Sequence, residues 1–176
     1  YKDKKGEILL PHPNLKGNFQ ISNISTAINV IRNLHQFSVK DSHIKKAIVK
    51  IRSEGRLQFI MDGKLKKYVS KNNQIIIDGA HNLLAASAII KYLETFNKER
   101  KIVMILGMMA NKDHKEFIEV FKSKVNSIIT LDIPNQINFI KKEKLSQIAK
   151  SCGIHSTTEG SIEKALKLAA KQNNDA

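Results

Sequence analysis

The residues of this chain best suited to chemistry follow one short apolar run. Three isoleucines at 75–77 are followed directly by an acid, a glycine, an alanine, an imidazole and an amide at 78–82. Consecutive β-branched residues bounded by polar ones are typical of a parallel strand buried on both faces. Open α/β sheets bind ligands in the crevice outside the carboxyl ends of their strands. We therefore expect Asp78, His81 and Asn82 to line a ligand site.

A simpler alternative exists for the polar residues of this turn. Asp78 or Asn82 could serve only as the N-cap of the helix predicted over residues 83–97, because short polar side chains accept hydrogen bonds from the first free amides of a helix. A cap uses one such residue, whereas this turn carries three polar side chains in five positions. The pattern favours a ligand site over capping alone.

The elements that must position this turn alternate along the chain from residue 56 onward. Hydrophobic periodicity predicts strands at 56–61, 65–69, 74–78, 101–106 and 125–131, and helices at 83–97, 112–122, 141–151 and 161–172. The first two strands form a predicted hairpin. Strands alternating with helices indicate an α/β fold, in which a Rossmann-like, mainly parallel sheet carries helices on both faces.

Residues 1–50 have a different pattern. A strand end at 7–10 is broken by the Pro-His-Pro-Asn segment at 11–14. A helix is predicted from about Asn23 to His35, and a second from Asp41, as its N-cap, to about Lys50. Two helices and a strand end make no complete core. At the other end of the chain, the helix predicted at 161–172 would naturally lead into a further strand. We therefore expect a fragment of a longer enzyme.

Composition limits the possible classes of protein. With 41% hydrophobic and 26% charged residues, the chain is typical of a globular protein. No apolar run has the length of a membrane span and no signal peptide is evident, so we expect a cytoplasmic protein without a membrane partner. The single cysteine, Cys152, excludes an internal disulfide framework and a thiolate zinc site, and we expect no metal ligands in this chain.

The net charge of +14 raises the alternative of nucleic-acid binding, because clustered cations release counterions from phosphate backbones. The excess lies mainly in residues 1–74, which carry 15 Lys and Arg against 5 Asp and Glu. There it is diffuse. Lys64, Lys66, Lys67 and Lys71 flank the predicted hairpin with Tyr68 as their only aromatic neighbour, so solvated lysines are the more common explanation.

Four segments together resemble one enzyme family. They are Gly-Asn-Phe-Gln-Ile-Ser-Asn at 17–23, Gly-Arg-Leu-Gln at 55–58, Asp-Gly-Ala-His-Asn at 78–82 and Gly-Met-Met-Ala-Asn-Lys-Asp at 107–113. In order and spacing they resemble motifs of the folylpolyglutamate synthases and dihydrofolate synthases, which belong to the Mur ligase superfamily. The chain departs from the family pattern at Phe19, Ile24, Leu83 and Asn111, where His, Ala, Pro and Asp are usual.

The resemblance implies a domain division and a reaction. Residues 1–50 would be the helical remnant of a central ATP-binding domain, and residues 51–176 the C-terminal ligase domain without its final strand. The full enzyme would use ATP and magnesium to activate the carboxylate of a folate or pteroate as an acyl phosphate, which the amino group of L-glutamate then attacks. Catalysis of phosphoryl transfer depends largely on positioning and charge stabilisation.

The resemblance also implies roles for residues of the second and third motifs. Arg56 and His81 would make catalytic contacts, with the Arg56 guanidinium on the phosphates, where a planar charged fork suits oxyanions. Asp78 would accept hydrogen bonds from the ribose hydroxyls, and His81 and Asn82 would lie against the nucleotide. Without the resemblance, Arg56 reads as a surface arginine at the start of a strand.

The first and fourth motifs supply the remaining candidates. By resemblance, Asn23 and Gln20 would approach the adenine edge, which a carboxamide can both donate to and accept from. Ordinary helix capping is the alternative, most of all for Gln20. Lys112 and Asp113 follow the strand at 101–106 and are expected at the same sheet edge as Asp78, where they would bind glutamate or phosphate. Their alternative is a solvated first helical turn.

One expected part is absent from the sequence. No glycine-rich phosphate loop of the form Gly-x-x-x-x-Gly-Lys-[Ser/Thr] occurs, and the resemblance assigns the magnesium ligands and the pterin pocket to the N-terminal domain. We expect this chain alone to be inactive, and to be a monomer or to pair with that domain. Two alternatives remain: a stand-alone module that binds a nucleotide or anion without catalysis, and a basic nucleic-acid-binding protein.

Overall fold

The computed structural model describes residues 1–97 and 99–174, with side chains through residue 172 at the C-terminal end. The chain divides into two compact units, Tyr1–Gln58 and Phe59–Ala176. This boundary lies eight residues beyond the predicted end of the first domain at residue 50. The assignment of the two units to named domains of an enzyme stays a prediction.

The first unit combines a small hairpin with two helices. Strands β1 (Lys2–Asp3) and β2 (Gly6–Glu7) pair antiparallel, and helices α1 (Phe19–Asn33) and α2 (Asp41–Lys50) follow. The α1 helix begins four residues before the predicted Asn23, because backbone bonds from Gln20 to Gly17 and from Ile21 to Asn18 already form its first turn. The predicted cap Asp41 is instead the first residue of α2, and Lys40 occupies the N-cap position.

A small apolar core and the largely shielded guanidinium of Arg32 join the elements of the first unit. The core consists of Ile8, Ile28, Ile44 and Ile48. The Arg32 guanidinium, 11% exposed, lies 3.0 Å from an Asp3 carboxylate oxygen and 3.2 Å from one of Asp41. These ion pairs link the hairpin and α2 to the end of α1.

The second unit begins with β3 and a short 3-10 helix, η1. Strand β3 spans Gln58–Ile60, and η1 spans Leu65–Tyr68. The prediction of a strand at 65–69, and with it the hairpin, was wrong. The Lys67 amide donates to the Lys64 carbonyl over 3.2 Å, and η1 packs against the last helix of the chain, so that tertiary packing decides the conformation of this short apolar and basic segment.

The remaining elements alternate strand and helix. They are β4 (Ile75–Ile77), α3 (Leu83–Leu93), β5 (Val103–Leu106), α4 (His114–Glu119), β6 (Ser127–Thr130), α5 (Lys142–Ser151), β7 (Ser156–Thr158) and α6 (Ile162–Asn174). The α3 and α4 helices are shorter than predicted. Strand β7 was not predicted, because its Ser-Thr-Thr sequence carries no apolar signal.

Strands β5, β6 and β7 form a parallel sheet in that order. Ser127 Oγ donates to Gln172 Oε1 on α6 over 2.7 Å, and Thr130 Oγ1 donates to the Lys142 carbonyl at the start of α5 over 2.8 Å. Residues three apart on a strand point to opposite faces. Helices therefore cover both faces of this sheet, and the predicted α/β fold is confirmed.

Strand β4 corrects one part of the prediction. It pairs with β3 in a two-stranded sheet, and within the described residues it is not a member of the sheet formed by β5, β6 and β7. Ile77 is 37% exposed, so the strand is not buried on both faces. The main core lies instead between the parallel sheet and α4 and α5, around Phe121, Ile128 and Leu145.

Candidate functional site

The turn after β4 is organised by the carboxylate of Asp78. Its Oδ1 accepts a hydrogen bond from the Ala80 amide over 2.8 Å, which is the geometry of an Asx turn. The Asp78 side chain is half-buried, while Gly79 between the two residues is exposed. The carboxylate therefore stabilises the turn that presents the following residues at the end of β4.

His81 and Asn82 are both exposed and have different local roles. His81 Nδ1 lies 2.9 Å from the Gly79 carbonyl, so in the neutral ring Nδ1 carries the proton and Nε2 is an acceptor. Asn82 is the N-cap of α3, and its Oδ1 accepts from the Ala85 amide over 2.9 Å. The capping alternative thus holds for the Asn82 oxygen. Its Nδ2 is the part of the side chain suited to donate to a ligand.

Arg56 lies in a strained turn. Gly55 has a φ of +63°, and Leu57, only 2% exposed, has a φ of +44°. The Gly55 amide donates to Gln58 Oε1 over 2.9 Å and closes the turn. A buried leucine in the left-handed region costs conformational energy, and such strain is concentrated at functional sites. The arrangement anchors both neighbours of Arg56 and leaves its guanidinium exposed.

The first two motifs meet in the first unit through Gly17 and Leu57. Gly17 has a φ of +91°, and a β-carbon added there would lie 3.1 Å from Leu57 Cδ1 and 2.5 Å from Phe19 Cε1. The turn that holds Arg56 therefore packs directly against the start of α1. Sequence reasoning identified Arg56 but missed Gly17 and Leu57 as residues that shape its surroundings. Their only local signal was a glycine at the head of each motif.

Gln20 and Asn23 form a pair on the first turns of α1. Asn23 Nδ2 donates to Gln20 Oε1 over 3.1 Å, and Gln20 is only 4% exposed. Neither residue is the N-cap, which is Asn18, so the capping alternative is wrong for both. A buried carboxamide held by a second one is suited to fixed hydrogen-bond recognition.

Lys112 and Asp113 follow β5 at its carboxyl end. Asp113 is the N-cap of α4, and its Oδ1 accepts from the Glu116 amide over 3.1 Å. Asp113 therefore lies, exposed, at the start of a helix and caps it, as the simpler alternative predicted. Lys112 beside it is half-buried. Because β4 and β5 belong to different sheets in the described structure, the sheet itself does not bring Lys112 to the edge that carries Asp78.

The candidate residues thus form three local groups. Arg56 lies in a turn that packs against the start of α1, the helix that carries the pair of Gln20 and Asn23. The turn at 78–82 follows β4, and Lys112 follows β5. Across the described ranges 1–97 and 99–174, no group of three or more His, Cys, Asp or Glu side chains could hold a metal ion. In the same ranges no helix combines the length and the apolar character that a bilayer crossing requires.

Comparison with protein families supports the α/β assignment. Residues 55–176 match the family described as Mur ligase, glutamate ligase domain. The matched range includes the Arg56 turn, the turn at 78–82 and the segment with Lys112. It covers the whole of the second unit and the last four residues of the first.

Individual relatives agree with this match. The chain is 26% identical over 152 residues to the dihydrofolate synthase/folylpolyglutamate synthase of Buchnera aphidicola subsp. Acyrthosiphon pisum, covering 86% of this chain and 33% of that protein. It is 24% identical over 118 residues to the dihydrofolate synthetase of Saccharomyces cerevisiae, covering 65% of this chain and 27% of that protein. The chain spans about a third of the length of these curated relatives.

A solved structure gives the same fold. The Mycobacterium tuberculosis folylpolyglutamate synthase complexed with ADP superposes with a TM-score of 0.79 at 20% sequence identity. The superposition covers 97% of this chain and 36% of that one. At this identity the likeness establishes the fold alone.

Proposed function

The chain belongs to the Mur ligase family through its glutamate ligase domain, and from this premise we propose that it is the C-terminal portion of an ATP-dependent folate:L-glutamate ligase. The observation that carries the proposal is the turn at 78–82, in which the half-buried Asp78 carboxylate closes an Asx turn and the side chains of His81 and Asn82 are exposed. Relatives named dihydrofolate synthase and folylpolyglutamate synthase support the substrate class.

The proposed reaction has two steps. A carboxylate oxygen of the folate or pteroate attacks the γ-phosphorus of ATP, and the bond to ADP breaks to leave an acyl phosphate. The amine of L-glutamate then attacks the acyl carbon, phosphate leaves, and an amide is formed with loss of a proton. Both steps concentrate negative charge on phosphoryl oxygens, so fixed cations and hydrogen-bond donors are the groups that accelerate them.

Arg56 is the cation we assign to the phosphoryl oxygens. Arg56 is exposed, and its guanidinium is permanently charged and can bind an oxyanion through two parallel hydrogen bonds. Its neighbour Leu57 is buried. Anchoring both sides of the residue reduces the entropy lost when the guanidinium meets a phosphate. His81 is the second residue we assign to catalysis, because its Nε2 is available to bind or accept a proton at the nucleotide.

The nucleoside contacts are assigned to carboxylate and carboxamide groups. Asp78 is an acceptor suited to the ribose hydroxyls, and Asn82 Nδ2 is a donor beside it. The pair of Gln20 and Asn23 offers a fixed donor and acceptor to the adenine edge. Gln20 Oε1 is already held by Asn23, so the Gln20 amide nitrogen is the group we assign to the base.

Lys112 is the residue we assign to L-glutamate. An ammonium group at the carboxyl end of β5 can pair with a substrate carboxylate. Asp113 already caps α4 through Oδ1, so we assign it to positioning Lys112 rather than to direct contact. The described residues contain no group of three or more His, Cys, Asp or Glu side chains that could hold a metal ion, and no step is assigned to a metal held by this chain.

The phosphate loop and the magnesium ligands are assigned to the part of the longer relatives that this chain does not match. The chain alone is then inactive, and its partner in catalysis is a polypeptide that supplies that part. Domain closure would exclude water from the acyl phosphate, which hydrolyses readily. We place the reaction in the cytoplasm, where ATP and free glutamate are available.

A chimaera tests the proposal. The unmatched part of the Buchnera relative is joined to this chain at the start of the matched segment, and ADP release is followed with dihydropteroate or a folate and L-glutamate. We expect turnover that requires glutamate and both polypeptide parts. A folded chimaera that releases no ADP in response to glutamate, while the native relative does so under the same conditions, would overturn the proposed function.

A further inference from the structure

Two groups of lysines far apart in sequence lie next to each other in the second unit. The 3-10 helix η1 packs against α6, and Lys167 Nζ lies 5.5 Å from the centre of the Tyr68 ring. This packing joins the exposed lysines of η1 to those of α6. We call the resulting surface the lysine face, and it consists of Lys64, Lys67, Lys164, Lys167 and Lys171.

The spacing of these lysines places them on the outer side of both elements. On α6, Lys164, Lys167 and Lys171 follow at intervals of three and four, which defines one side of a helix. The neighbouring Ala165 and Leu166 are buried, so the lysine side is turned outward. Lys64, the N-cap residue of η1, and Lys67 are three apart, and side chains at that spacing eclipse each other in a 3-10 helix.

Within the described part of the chain, the five lysines of this face have one acid of α6 beside them, Glu163, whose pKa is lowered by its own backbone, by Ser161 and by the charge of Lys167. The ion pairs found there all lie in the first unit, and none of the five lysines has a carboxylate within 4.0 Å. Like charges three or four residues apart on a helix destabilise it, so an opposite charge from another molecule would relieve the repulsion.

We propose that the lysine face binds a chain of carboxylates, and specifically the oligoglutamate tail of a folate that has received several glutamates. The proposal rests on the proposed function, because that reaction adds one carboxylate-bearing residue at each turnover. Ammonium groups suit such a flexible chain because each acts as a point charge without a fixed fork geometry.

The same features argue against a nucleic acid as the occupant. The Tyr68 ring is packed beneath Lys167, so the face offers no open aromatic platform on which a base could stack. It also contains no arginine to bind phosphates with two parallel bonds. Lys66, the remaining lysine of η1, is held by the Asn73 carbonyl at 2.6 Å and does not belong to the face.

The dimensions of the face fit a short peptide. From Lys164 to Lys171 the helix rises about 10 Å, since each residue adds about 1.5 Å. An extended peptide covers that distance with about three residues at about 3.3–3.6 Å each. We therefore expect affinity to rise with tail length over the first few glutamates and to level off once the face is covered.

Fluorescence anisotropy with labelled penta-L-glutamate tests the proposal on the chain as it exists, without ATP or folate. The titrations use about 50 mM and about 300 mM NaCl, because screening weakens exposed charge pairs. The test variant replaces Lys164, Lys167 and Lys171 with Gln. The matched control replaces the exposed lysines of α2, Lys45, Lys46 and Lys50, with Gln and removes the same charge. Circular dichroism and thermal unfolding confirm that both variants fold.

We expect the α6 variant to bind pentaglutamate at least tenfold more weakly than the wild type, the α2 variant to change by less than threefold, and triglutamate to bind almost as well as pentaglutamate. Equal losses in both variants, or no binding by the wild type at low salt, would overturn the proposal. So would tighter binding of oligothymidylate that the α6 substitutions abolish, since the face would then serve nucleic acid. If the α6 variant fails to fold, a variant with Lys64→Gln and Lys67→Gln replaces it, and it too should bind pentaglutamate more weakly. The binding assay contains no ATP, so a negative result in it does not bear on the chimaera test of the proposed function.

Discussion

Leu57 packs against Gly17 so closely that a β-carbon at Gly17 would lie 3.1 Å from Leu57 Cδ1. This relationship joins the turn that carries Arg56 to the start of α1, on which Gln20 and Asn23 lie. The two motifs are far apart in sequence, and each contributes a residue with a positive φ to the contact. The surroundings of Arg56 are therefore built by tertiary packing within the first unit.

Gly17→Ala tests this contact. The added methyl group meets Phe19 at 2.5 Å as well as Leu57, so we expect the free energy of unfolding to fall by about 1–3 kcal/mol, as overpacking typically costs. Urea denaturation followed by circular dichroism measures the change. Gly6→Ala is the control, because Gly6 also has a positive φ but has nothing within 4 Å of an added β-carbon. Equal losses in the two variants would mean that backbone strain alone explains them.

Asn82 separates capping from ligand binding. Its Oδ1 caps α3 through the Ala85 amide, so Asn82→Ala is expected to lower the free energy of unfolding by about 1 kcal/mol. Asn82→Asp retains the cap oxygen but loses the Nδ2 donor. We therefore expect Asn82→Asp to keep most of the stability and to raise the KM for ATP in the chimaera. A normal KM in Asn82→Asp would limit Asn82 to capping.

The Asp3 carboxyl should make the first unit less stable in acid. Desolvation raises the pKa of its carboxyl, but the hydrogen bonds from the Lys5 amide and the Tyr1 hydroxyl and the nearby Arg32 guanidinium outweigh it, so the pKa lies below the ordinary 3.8. A carboxyl with a lowered folded pKa stabilises the fold above its unfolded pKa, and this contribution is lost as pH falls through the folded value. Denaturation midpoints measured from about pH 5 to about pH 2 should therefore fall more steeply for the wild type than for Asp3→Asn. Parallel curves would contradict the assignment.

The KM for L-glutamate tests the role assigned to Lys112. In the chimaera, Lys112→Ala is expected to raise the KM for L-glutamate by about tenfold while the KM for ATP stays within about twofold, because an ion pair to one substrate is lost. Lys115→Ala, an exposed lysine on α4, is the matched control and should change neither value. A rise in the KM for ATP alone would reassign Lys112 to the nucleotide.

Local signals in the sequence were sufficient for the turn at 78–82 and for most elements of the second unit. The isoleucines predicted β4, although its partner is β3 and Ile77 is partly exposed. Strand β7 was missed because polar strand residues gain no signal from hydrophobicity. Side-chain hydrogen bonds satisfy such buried polar residues, as between Ser146 Oγ on α5 and Ser156 Oγ on β7 at 3.0 Å.

The remaining differences arise from contacts between distant segments. The conformation of η1 depends on its packing against α6, and the approach of Leu57 to Gly17 has no counterpart in either local sequence. Sequence spacing placed Lys112 at the edge that carries Asp78, because it assumed one continuous sheet. The separation of β3 and β4 from the three-stranded sheet depends on strand pairing, which periodicity does not encode.

The most direct test of the proposed function is the kinetics of Arg56→Ala and Asp78→Ala in the chimaera. Each substitution removes a group that we assign to ATP, so each should lower kcat/KM for ATP by about tenfold or more, as the loss of a transition-state contact does. Arg52→Ala, an exposed arginine four positions before Arg56, serves as the control and should retain wild-type kinetics. Unchanged kcat/KM in both the Arg56 and Asp78 variants would contradict the assignment of this chain to the ATP site of a ligase.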